Sequence, residues 1–118
     1  MKEFYIDNKK IGDNHPAFII AEIGSNFNGS IEKAKNLVDL AIEVGADAIK
    51  IQSFIAEKII CKEAFDGLQL SFQSKWGKSV WEVYKAAEFP REWHEGIFNY
   101  CKKKGIIFLS SPYDLEAV

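Results

Sequence analysis

Apolar and polar positions follow two rhythms along the chain, and the changes of rhythm mark its elements. Residues 4–11, FYIDNKKI, set apolar ends around a polar Asp-Asn-Lys turn, which predicts a short hairpin. FIIAEIG (18–24) is a compact apolar run closed by glycine and predicts a buried strand, with Asn26, Asn28, Gly29 and Ser30 as the loop after it. From about 31 to 44, Ile31, Ala34, Leu37, Val38, Ala41 and Ile42 recur at helical spacing while Glu32, Lys33, Lys35, Asn36, Asp39 and Glu43 take the other face. Ser30 suits the N-cap of this helix and Gly45 its left-handed end. AIKIQSF (48–54) predicts a second strand only a few residues on.

Residues 55–78 carry no clear period and predict a long functional loop or lid. Ser79 and Glu82 have capping-box spacing ahead of a helix whose apolar face is Val80, Val83, Tyr84 and Ala87. Pro90 suits the first turn of a further helix, striped by Trp93, Ile97, Phe98 and Cys101 and ended by Gly105. IIFLSSP (106–112) predicts a third strand, and Asp114 suits the N-cap of another α-helix whose first turn is Leu115 to Val118. Strand, helix and strand joined this tightly make a βαβ unit, which requires parallel strands. The predicted fold is therefore α/β: the N-terminal portion of a (β/α)8 TIM barrel, preceded by the short hairpin. Such barrels need ~250 residues, so residues 1–118 are expected to be one fragment of a longer barrel, with the rest of it absent.

Composition narrows the function classes. Hydrophobic residues make up 47% and charged residues 27%, a globular balance, and the net charge of -2 supplies no basic surface for nucleic acid. No apolar run approaches the roughly 20 residues that span a bilayer, so no membrane partner is expected. The opening MKEFYIDNKKIGD lacks the apolar core of a secretory leader. Cys61 and Cys101 lie far apart, match no metal spacing and are expected to be reduced thiols of a cytoplasmic protein. Asn28-Gly29-Ser30 has the form of a glycosylation acceptor but is expected to be a turn.

The chemistry-bearing positions cluster at strand ends. Lys50 and Gln52 share one face of their strand, opposite Ile49 and Ile51. A lysine in such a strand needs a partner, either an anionic ligand or a carboxylate such as Glu22 on the neighbouring strand. Glu22 itself sits amid apolar neighbours near a C-terminal strand end, where barrels build their sites. Ser110 and Ser111 end the third strand, and their hydroxyls suit either a phosphate oxygen or loop backbone. Asn26 suits a donor to substrate or a turn former. His15 and His94 have no carboxylate or second histidine at ligand spacing and are expected to be structural, so no metal site is predicted. Trp76, Trp81 and Trp93 are expected in a core or interface rather than as sugar platforms.

Three segments, AEIGSNFNG, GADAIKIQSF and EFPREWHEGIFNYCKKKGIIFLSSPYD, resemble successive blocks of the N-acetylneuraminate synthase family, which includes the pseudaminic and legionaminic acid synthases. The resemblance runs from about residue 17 to the end, with the blocks in order. It implies a homo-oligomeric enzyme with a barrel and a small antifreeze-like domain. Such an enzyme condenses phosphoenolpyruvate with an open-chain acetamido sugar, N-acetylmannosamine or a related derivative, to a nonulosonic acid and phosphate. It implies a divalent cation, Mn or Mg, whose two histidine ligands lie outside residues 1–118. Lys50 and Gln52 match the family's KxQ strand, which contacts phosphoenolpyruvate. Ser111 stands where the family usually has the threonine of an STP motif, and Glu22 matches the glutamate of its AEIG block, in the active site. Phe27 replaces a histidine common in the family. The isolated segment is expected to be inactive; the other readings are a non-catalytic interaction or scaffold fragment and another phosphate-binding barrel enzyme.

Overall fold

The computed structural model describes residues 2–67 and 74–118. The hairpin forms as expected, with β1 (Phe4–Ile6) and β2 (Lys9–Ile11) antiparallel and Asp7 at positive φ in the turn. A second sheet of three parallel strands follows: β3 (Ile20–Gly24), β4 (Ala48–Ser53) and β5 (Ile107–Pro112), in the order β3-β4-β5. The crossover from β3 to β4 carries α1 (Ile31–Glu43), and that from β4 to β5 carries α4 (Val80–Ala87) and α5 (Trp93–Lys104). This is the strand–helix plan of a (β/α)8 barrel.

Local signals set most of the boundaries. The Ser30 hydroxyl accepts from the Lys33 N–H at the start of α1, and Ser79 and Glu82 make both bonds of the capping box on α4. Gly105 closes α5 at φ 80°, a conformation costly for any residue with a Cβ. Pro90 precedes α5 by a turn, its carbonyl accepting from the Trp93 N–H. Asp114 caps as predicted, but the turn it caps, Leu115–Ala117, is 3-10 rather than α.

Two expectations change. FIIAEIG is not buried throughout: the strand begins at Ile20, and Ile19 and Ile20 are about half exposed. β3 pairs only with β4, so one of its edges is open among the described residues. The connection 55–78 is not featureless either: it holds α2 (Ala56–Ile59), α3 (Lys62–Asp66) and a 3-10 turn (Ser74–Trp76). Helices of one turn, without side-chain caps, are too short to show a period. Residues 68–73 of that connection lie outside the described residues.

The core lies between the sheet and the helices. Ile23, Ile49 and Ile51 from the sheet meet Ala34, Val38 and Ala41 of α1 and Ile97 and Cys101 of α5. Phe27 is 1% exposed and packs edge-on against Phe89 and Trp93. Burying such a ring contributes roughly 2–3 kcal/mol. Trp93 borders this core as expected, Trp76 is partly exposed, and the Lys62 ammonium lies 5.8 Å above the Trp81 ring.

Candidate active site

Strand alternation sends one face of the sheet to this core and leaves the other for chemistry. Register pairs Glu22 with Lys50, Lys50 with Leu109 and Gln52 with Ser111, so Glu22, Lys50, Gln52 and Ser111 lie on one face. Ile49, Ile51 and Ser53 face the helices. The Lys50 Nζ lies 2.9 Å from the Glu22 carboxylate. This is the ion pair expected from the strand pattern, and with both side chains more than a third exposed it leaves Lys50 open to a ligand anion. After Glu22 the β3–β4 register slips, and Gly24 takes φ 57°. The bulge turns the chain sharply away beyond the carboxylate.

The four residues share a face, and among the described residues two of them line different cavities. Gln52 lines a cavity of about 480 Å³ together with Phe54, Ile59, Ile60, Phe65, Tyr84 and Tyr113. Glu22 and Asn26 line a separate one of about 230 Å³ beside Leu37, Leu40 and Val44 of α1 and its C-cap. Three strands make an open face, whereas a closed barrel would wrap the same positions around one axis. The Asn26 amide donates to the Ile23 carbonyl at 2.9 Å, which makes it a turn former.

Ser110 is separated from Ser111 by the strand's alternation, which corrects the expectation of two serines on one rim. Its hydroxyl lies 2.7 Å from that of Ser53, on the helix side, and Ser53 in turn hydrogen-bonds His94 Nε2. His94 Nδ1 faces the carbonyls of Arg91 at 3.1 Å and Pro90 at 3.2 Å. His94 thus has the structural setting expected of it, and His15 likewise contacts Glu3 at 2.9 Å. Ser53, wholly buried, was not singled out in the sequence. Its signal was there: a hydroxyl on the strand face otherwise occupied by Ile49 and Ile51.

Charges gather around the loop after β5. Arg91 pairs with Asp114, while Arg91 Nε and Nη1 are buried without a partner. Lys58 reaches Glu116 at 2.7 Å and Asp114 at 3.6 Å. Burial pushes the Asp114 carboxyl up, but the Ala117 N–H, Arg91 and Lys58 together hold it below its ordinary value. The bond to Glu116 raises Lys58, so the group stays charged at neutral pH. Both cysteines are free; burial pushes Cys101 up to about 11, so its thiol is no nucleophile. Among the described residues no three His, Cys, Asp or Glu side chains come together to hold a metal, and no helix is long and apolar enough to cross a membrane.

The chain is similar to known proteins along nearly its whole length. It is 40% identical over 114 residues to the spore coat polysaccharide biosynthesis protein SpsE of Bacillus subtilis, covering 97% of this chain and 30% of that protein. It is 37% identical over 108 residues to the N-acetylneuraminate-9-phosphate synthase of Mus musculus, covering 92% of this chain and again 30% of the relative. Among solved structures, the N-acetylneuraminic acid synthetase of Leptospira borgpetersenii, determined in complex with citrate, superposes with a TM-score of 0.75 at 32% identity, covering 98% of this chain and 36% of that one. The chain thus spans about 30% of the length of these curated relatives and forms part of a TIM barrel. The NeuB family model matches residues 37–118, and the chain belongs to the NeuB family.

Proposed function

We propose that the whole protein carrying this segment is a synthase that joins phosphoenolpyruvate to an acetamido sugar, giving a nonulosonic acid. Family membership supports the class, and one observation carries the site. The Lys50–Glu22 pair, at 2.9 Å, lies on the open sheet face with Gln52 and Ser111 in register beside it. A cation with neutral donors suits an acid that bears both carboxylate and phosphate. Lys50 neutralises the phosphoenolpyruvate anion, and the Gln52 amide and Ser111 hydroxyl donate to its oxygens. Glu22 holds the ammonium in place before substrate arrives and then accepts from the hydroxyls of the sugar. The step balances with water: the terminal methylene carbon of phosphoenolpyruvate bonds to the aldehyde carbon of the sugar, whose oxygen becomes a hydroxyl, and water adds at the oxygen-bearing carbon as phosphate leaves. The divalent cation implied by the family resemblance has no ligand cluster among the described residues. A homo-oligomer in the cytoplasm, with the antifreeze-like domain following the barrel, is the setting this reading implies.

The test is Lys50→Ala in the full-length protein, assayed against phosphoenolpyruvate at saturating acetamido sugar. Loss of a charge-assisted contact to a charged substrate costs roughly 2–5 kcal/mol, so the specificity constant for phosphoenolpyruvate is expected to fall by about 30-fold or more. A specificity constant equal to wild type sinks the assignment.

A further inference from the structure

We propose that the hydrogen-bonded chain Ser110–Ser53–His94 is a positioning device that holds Gln52 and Ser111 at the spacing needed to bind the phosphoenolpyruvate anion; this rests on the function proposed above. Ser53 is the knot. Its hydroxyl meets Ser110 at 2.7 Å and His94 Nε2, and its carbonyl accepts from the Tyr113 N–H at 3.1 Å. It is 0% exposed, so no water replaces a lost bond cheaply. Gln52 precedes Ser53 on β4, Ser111 follows Ser110 on β5, and the two are register partners. Each donor to the ligand is therefore a chain neighbour of a hydroxyl that is locked from behind the sheet.

The bonds have a direction. Backbone carbonyls only accept, so His94 Nδ1, facing those of Pro90 and Arg91, carries the proton. In that tautomer Nε2 accepts from the Ser53 hydroxyl, and the Ser53 oxygen accepts from Ser110. The first turn of α5 is thereby tied through Ser53 to the ends of both strands. Misplacing a binding group by about 1 Å is enough to weaken its contact severely, so slack in this chain should be read out in affinity for the anion.

The experiment is calorimetric titration of phosphoenolpyruvate into the full-length protein and its variants, with melting temperature recorded for each. Ser53→Ala is expected to weaken phosphoenolpyruvate binding on the order of tenfold while leaving KM for the acetamido sugar unchanged. His94→Gln keeps an acceptor near the Nε2 position and is expected to bind within about threefold of wild type. His94→Asn, too short to reach Ser53, is expected to match Ser53→Ala. If Ser53→Ala does not fold, Ser110→Ala, at the part-exposed end of the chain, is expected to show the same loss at smaller size. Lower melting temperatures with unchanged phosphoenolpyruvate affinity would mean that the chain only supports the fold, and would overturn the proposal. Nitrogen-15 NMR of wild-type His94 is expected to show the Nδ1–H tautomer; the Nε2–H tautomer would overturn the bond direction. A wild-type protein that does not bind phosphoenolpyruvate would overturn the proposed function and the substrate half of this inference together, whereas the His94 signal would still decide the hydrogen-bond chain.

Discussion

Phe27 shows how one residue exchanges chemistry for packing. It stands in the loop after β3, at a position where histidine is common in the family it resembles, yet its ring is 1% exposed between Phe89 and Trp93. Phe27→His would lose apolar contact and bury an imidazole without a designed partner. The expected cost is about 2–4 kcal/mol, read from the denaturant midpoint of the full-length protein; an unchanged midpoint would mean that the pocket already suits a polar ring. At the same scale, the Lys50–Glu22 pairing was legible from alternation and adjacency. The split between Ser110 and Ser111 followed from the same alternation, but the partners of Ser110 did not: Ser53 and His94 come from other elements, 57 and 16 positions away.

Elements were legible where their ends carry local chemistry. The Ser79–Glu82 box and the glycine ending α5 act through bonds and dihedrals within a few residues, so sequence alone predicts them. Gly105 has open space around a would-be Cβ, so the cost of Gly105→Ala is conformational. At φ 80° it is expected to be about 1 kcal/mol, measured by chemical denaturation; no loss would show that the α5–β5 joint relaxes to another conformation. The hairpin, β3 and β4 are linked differently, through Asp47. Its carboxylate accepts from the Ile19 N–H at 2.8 Å and pairs with Lys9 at 3.1 Å. The Ile19 bond first, then Lys9, holds this carboxyl below its ordinary value of 3.8. The stability it adds is therefore fully present above pH 3.8 and is lost as the pH falls through the lower folded-state value. Melting curves of wild type and Asp47→Asn are expected to differ at pH 6 and to converge below pH 3.8; a constant gap across that range would contradict the linkage.

On the scale of the whole molecule, the three-stranded sheet has helices on one face and open edges at β3 and β5 among the described residues. Ile19 and Ile20, about half exposed, extend an apolar surface along the β3 edge. Unpaired edges and apolar faces invite pairing with another chain. Residues 1–118 expressed alone are expected to self-associate, with light scattering reporting a mass above 13.4 kDa that rises with concentration. A folded monomer at high concentration would show that the long β4–β5 connection covers the open face.

By itself the sequence determined the βαβ order, the parallel sheet, the helix ends, and the strand face that carries Glu22, Lys50, Gln52 and Ser111, because periodicity, capping and alternation act over a few residues. Only the tertiary structure decided that β3 is half exposed, that α2 and α3 interrupt the long connection, that Phe27 is a core ring, and that Gln52 and Glu22 line separate cavities. It alone joined Ser110, Ser53 and His94. These outcomes depend on which distant elements meet. A buried hydroxyl must bond to whatever packing brings within reach, and spacing along the chain carries no record of that encounter.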